Sequence, residues 1–145
     1  MTLSARWQFV LMALTGAALY FVLLQLSYGA LKDSYIPPSW WPNHLQIGPA
    51  GTASWFMLIN AAGAISAAIP PALFLVHFAE AHKLALGLAA GLPAGLYIIG
   101  GGLIEYGLPH YPAAWIIEAF KFLSISMAVP VLVACIPHPR RHVHL

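Results

Sequence analysis

Glu118 and Lys121 stand three residues apart inside an otherwise apolar run, and they are the residues of this sequence best placed to do chemistry. A spacing of three puts both on one face of a helix. A charged side chain at the centre of a membrane-spanning helix costs about 2.5–3.5 kcal/mol or more unless it is paired or hydrated, so intramembrane charges are functional candidates by default. Two uses fit the pair. Glu118 can act as a proton- or ion-coupling carboxylate facing a cavity, with Lys121 tuning its charge. Alternatively the two neutralise each other, and the lysine reaches toward the headgroups along its own methylene stem. Glu105 and His110 lie on the same side of the membrane and add titratable groups. With Tyr106 and Tyr111 they could line an outer vestibule, or they are simply solvated in a short turn.

Other constellations fall short of a defined chemistry. His77, Glu80 and His82 carry zinc-type ligand atoms within six residues, but their spacing matches neither HExxH nor HxxEH, and no metal is expected. The remaining inner histidines, in the tail His138-Pro139-Arg140-Arg141-His142-Val143-His144, suit a basic rim that attracts anionic headgroups. Bis-histidine haem ligation needs two histidines facing each other inside the spans, and only His77 approaches a span interior. The single cysteine, Cys135, excludes an internal disulfide and a CxxC pair. No Ser/His/Asp or paired-carboxylate set falls at one depth, so neither an enzymatic role nor a cofactor is expected.

The elements that must position these residues follow from composition. Of 145 residues, 61% are hydrophobic and 7% are charged, and mean hydropathy is +0.80. Ten charges cannot coat a water-soluble particle of this size, where about a quarter of the residues would normally be charged. The apolar residues gather into four runs, at about 7–31, 52–76, 84–104 and 112–136, each reaching the ~20 residues that span a hydrocarbon core. These runs are apolar on every face, which fits helices and not barrel strands. The expectation is an all-α integral membrane protein: one four-helix bundle over residues 1–145, with an outer loop at 32–51 and a cytoplasmic tail at 137–145. Arg6, Lys83, Arg140 and Arg141 fall on one side and only Lys32 on the other, which predicts both termini in the cytoplasm. A bacterial inner membrane is the expected location. Trp7, Tyr35, Trp40, Trp41, Trp55 and Trp115 mark the expected interfaces. The few basic groups give no support to nucleic-acid binding.

Packing signals follow. Gly87, Gly91 and Gly95 repeat at intervals of four, a smooth stripe that lets a neighbouring backbone approach closely, in the same chain or in a second copy. Pro70, Pro71, Pro93 and Pro130 lie within spans and predict kinks. The short connection from Phe78 to Lys83 predicts that spans two and three form an antiparallel hairpin. Gln25, Asn60, Ser66, Ser124 and Ser126 are expected to hydrogen-bond between helices. Two functions fit this inventory. One is a non-enzymatic accessory subunit or modulator, whose partners are the bilayer and another membrane protein or a second copy. The other is a small ion-coupled transporter or channel built as a homo-oligomer, with Glu118 as its coupling carboxylate.

Overall fold

A computed structural model describes residues 3–36, 38–39, 48–79, 81–110 and 112–137. Four helices carry the chain: α1 (Leu3–Leu31), α2 (Gly48–Phe78), α3 (Lys83–Tyr106) and α4 (Pro112–Cys135), with a short 3₁₀ turn at Lys32–Tyr35. All four are long and apolar enough to cross a membrane. At 1.5 Å per residue, the 29 and 31 residues of α1 and α2 reach well beyond a 30 Å hydrocarbon layer. Each begins about four residues before its expected apolar run; in α2 the added turn holds Pro49, whose missing N–H would have had no intrahelical carbonyl there. Trp40, Trp41, Pro42, Tyr111 and the tail from His138 onward lie outside the described residues.

Local chemistry sets the helix ends. Pro112 opens α4 at a position where its missing N–H would have had no intrahelical carbonyl. α3 stops at Gly107, whose φ of 77° suits a residue without a Cβ and whose N–H donates to the Leu103 carbonyl at 3.0 Å. Between α2 and α3 the chain reverses through His82, held at φ 57°. Here the Lys83 ammonium donates to the Val76 carbonyl at 3.0 Å, placing a cation where the α2 dipole is negative. Pro70, Pro71, Pro93 and Pro130 sit inside helices that continue through them.

Side-chain contacts fix the directions. Gly87 meets Pro130, Gly91 meets Ser126 and Gly95 meets Phe122, so α3 and α4 run antiparallel along the glycine stripe. Phe9 faces His82, Gly16 faces Ala90 and Phe21 faces Tyr97, so α1 and α3 run parallel. Going round the bundle, the order is α1, α2, α4, α3. Spans two and three form the expected antiparallel hairpin through a short turn, yet they stand on a diagonal and barely touch. A turn requires only that helix ends be close. In lipid, side-by-side packing goes to the surfaces that fit best, and the glycine face of α3 fits α4. On the other diagonal, no Cα of α1 comes within 8 Å of one in α4.

The core is built from small residues and a few large ones. Ala64, Ala67, Ala68 and Ala72 of α2 and Ala90 and Ala94 of α3 are buried, allowing the helices to approach, while Tyr20, Leu24, Leu75, Ile125, Val129 and Val133 fill the centre. Tyr20 is fully buried and spans the empty diagonal, its hydroxyl donating to the Ile125 carbonyl at 2.7 Å. Leu11, Leu26, Leu73, Leu96, Ile116 and Val131 point outward, as a lipid-facing surface requires.

Candidate functional site

The bundle has a terminal end, carrying the start of α1 and the finish of α4, and a far end at the turns 32–35 and 107–110. The expected charged pair lies toward the far end. Lys121 Nζ sits 3.3 Å from Glu118 Oε2 and 3.4 Å from Oε1, and the side chains are 18% and 30% exposed, respectively. One helical turn brings them together, as their spacing predicts. These distances are long for charge-assisted bonds, which usually fall near 2.7–2.9 Å, so the ammonium is attracted but not tightly clamped.

Lys121 also forms part of the wall of a cavity of about 540 Å³ that opens between the four helices at this end. α1 supplies Gln25 and Tyr28, α2 supplies Phe56 and Asn60, and α3 supplies Tyr97, Ile98, Gly101, Gly102 and Glu105. Glu105 is thus brought to Lys121's cavity, whereas Glu118 is not part of its wall and meets it only through its ion pair with Lys121. His110 is exposed beyond the end of α3 and is not part of this wall. Beside the cavity, the Trp55 indole N–H donates to the Ser34 carbonyl at 2.6 Å, tying the turn after α1 to α2. Trp55, expected at an interface, stands at this end with its ring only 8% exposed.

Several expectations about polar groups need correction. Asn60 is buried, but its amide donates to the Phe56 carbonyl at 2.7 Å within its own helix and not across to a neighbour. Ser126 Oγ is buried and makes no hydrogen bond among the described residues; it is pressed against Gly95. Pro130, four residues on, has no N–H for the Ser126 carbonyl, and that oxygen faces Gly91. The glycines of the 100–102 run have open space where a Cβ would stand, so they admit the cavity and do not seat another helix. Tyr28 and Tyr97, which sequence reasoning left out of the site, line its wall. A signal was available for Tyr28, which falls one turn before the far end of α1 and three residues after Gln25; Tyr97 lies more than two turns inside α3, and only the assembled bundle brings it to this wall.

At the terminal end a second cavity, of about 460 Å³, is lined mainly by apolar groups, among them Phe9, Met12, Phe78 and Leu86, with Gln8 and His82. The metal-type residues do not assemble around it. The His77 ring lies edge-on to Phe78 at 4.8 Å, the His82 ring lies edge-on to Phe9 at 6.5 Å, and Glu80 is outside the described residues. Among the described residues, no three His, Cys, Asp or Glu side chains gather closely enough to hold a metal ion.

No protein-family model matches this chain, and neither a curated protein nor a solved structure is significantly similar to it. Function therefore rests on the geometry alone. The far-end cavity combines a volume within the range of small-molecule sites, about 300–1,000 Å³, with convergent polar groups and an intramembrane charge.

Proposed function

We propose that this chain is a small membrane transport protein that binds a polar solute in the far-end cavity, with the Glu118–Lys121 pair coupling the solute to charge movement. One observation carries this reading: Lys121, held by Glu118, faces a cavity to which all four helices contribute and whose wall also includes Glu105. A structural ion pair alone accounts for the two charges but not for the space beside them. When solute or proton changes the charge near Lys121, the long contact to Glu118 is free to break. The intrahelical prolines Pro70, Pro71, Pro93 and Pro130 then act as kinks about which the spans rearrange. The test is reconstitution in liposomes holding a pH-sensitive dye, challenged with a panel of amines, amino acids, carboxylates and phosphate. Wild-type protein should give solute-dependent proton movement that Glu118→Gln reduces at least about tenfold, the equivalent of roughly 1.4 kcal/mol. Empty-liposome behaviour of the wild type, or an unaltered Glu118→Gln, would sink the coupling role.

The same reading places the far end outside the cell and both termini inside, in the cytoplasmic membrane of a bacterium. Helical construction separates it from outer-membrane barrels, and Arg6 and Lys83 at the terminal end follow the positive-inside bias. Cys135 is exposed at that end. A membrane-impermeant thiol reagent added to intact cells should leave it unmodified and should react once the cells are opened; labelling of intact cells would invert the topology.

An accessory role draws its support from α1. Only 17% of the residues in its spanning window are buried, against 56% for α2, so α1 is the least enclosed helix and offers an open face to lipid, to another membrane protein or to a second copy. Purification in mild detergent separates the two readings: a stoichiometric second protein favours the accessory role, and a lone homo-oligomer favours transport.

A further inference from the structure

We infer that the ligand of the far-end cavity is a small organic cation whose counter-ion is the Glu105 carboxylate. This inference rests on the reading of that cavity as a solute site. The charges in and behind its wall are Lys121, Glu118 and Glu105. Lys121 and Glu118 cancel through their ion pair. Glu105 is exposed and makes no ion pair or hydrogen bond among the described residues, so among them it is the one carboxylate of the wall without a cationic partner. The other titratable groups of the wall are the phenols of Tyr28 and Tyr97. With Phe56 these supply three aromatic rings, whose faces attract ammonium groups, and Gln25 and Asn60 add amides. Gly101 and Gly102 leave the wall free of side chains one turn before Glu105, room for a bulky head beside the carboxylate. An anion entering the same space would meet Glu105 and would have to compete with Glu118 for the ammonium of Lys121.

The test uses three probes that share a benzyl group and differ in head charge: benzyltrimethylammonium, benzylsulfonate and benzyl alcohol. Equilibrium dialysis against the purified full-length protein, with protein-free micelles subtracted, should show saturable binding of the ammonium, one per chain. It should bind at least about fivefold more tightly than the other two, the scale expected from one carboxylate and exposed aromatic faces. Glu105→Gln should remove most of that preference. Lys121→Met takes away the wall's cation and frees Glu118, so it should tighten ammonium binding. Glu118→Gln frees Lys121 instead, so it should weaken ammonium binding and admit benzylsulfonate. A wild-type preference for benzylsulfonate, or ammonium affinity unchanged in Glu105→Gln, overturns the cation assignment and leaves the cavity a solute site. No binding of any probe overturns the cation assignment together with the cavity reading beneath it.

Discussion

Gly91→Ala is expected to unseat α3 from α4. A Cβ at this position would fall on the Ser126 carbonyl oxygen, a backbone atom that cannot rotate away. At Gly87 the obstacle is also backbone, the Pro130 Cα at 2.9 Å, whereas at Gly95 it is the Ser126 hydroxyl, which can turn, together with the Phe122 ring at 3.2 Å. Overpacking a tight contact typically costs about 1–3 kcal/mol, and a rigid obstacle lies at or beyond the top of that range. Gly91→Ala should therefore lose about 3 kcal/mol or fail to fold, with Gly87→Ala close behind and Gly95→Ala milder. Gly100→Ala is the control: nothing lies within 4 Å of its Cβ, and alanine favours helix by up to about 1 kcal/mol, so it should be neutral or stabilising. Unfolding titrations with SDS in mixed micelles give the ranking. If Gly91→Ala matched Gly100→Ala in stability, the packing of α3 on α4 described above would be wrong.

Tyr20 should show the next largest effect, and two substitutions divide it. Tyr20→Phe removes the hydroxyl that donates to the Ile125 carbonyl and leaves the ring in place. Hydrogen bonds between helices in membranes average about 0.6 kcal/mol and reach about 1.7, because a helix separated in lipid finds other partners. Tyr20 sits near the upper value: it is fully buried, and its bond is the direct link across a diagonal where the backbones stay apart. A loss of about 1–1.5 kcal/mol is expected. Tyr20→Ala also empties the space of a ring, for which large-to-small core changes cost about 3–5 kcal/mol in water-soluble proteins. Here the lower end applies, since lipid offers an exposed apolar surface nearly as favourable an environment and the lost term is mainly packing. The same titrations test both variants. Equal stability of wild type and Tyr20→Phe would show that the cross-diagonal bond contributes nothing, and a small loss in Tyr20→Ala would show that the centre of the bundle repacks freely.

What could be read in advance divides along physical lines. Glu118 and Lys121 were legible as a pair because their interaction is local: a spacing of three residues on a helix brings the side chains within reach wherever the helix sits. The glycine stripe was legible as a contact surface for the same reason, since helical periodicity alone aligns Gly87, Gly91 and Gly95. Its partner was not, because a smooth face accepts any helix that fits, and only the assembled bundle selects Ser126 and Pro130 of α4. The antiparallel hairpin of spans two and three was legible from its short turn, but its place on a diagonal was not, because a turn constrains the ends of two helices and says little about their lengths. Asn60 was misread because its amide reaches the carbonyl one turn back in its own helix, a local partner that membrane depth does not reveal.

Composition and the length of the apolar runs alone determined that this chain forms four helices able to cross a membrane, and singled out Glu118 and Lys121 as the charges inside such a run. These follow from the cost of charge in hydrocarbon and from the length of helix a bilayer demands, both of which act on one segment at a time. Tertiary structure decided the order α1, α2, α4, α3 around the bundle, the bond of Tyr20 across its diagonal, and the meeting of Lys121 with Glu105 at one cavity. These depend on which surfaces fit most closely, a property of pairs of helices that no single segment carries.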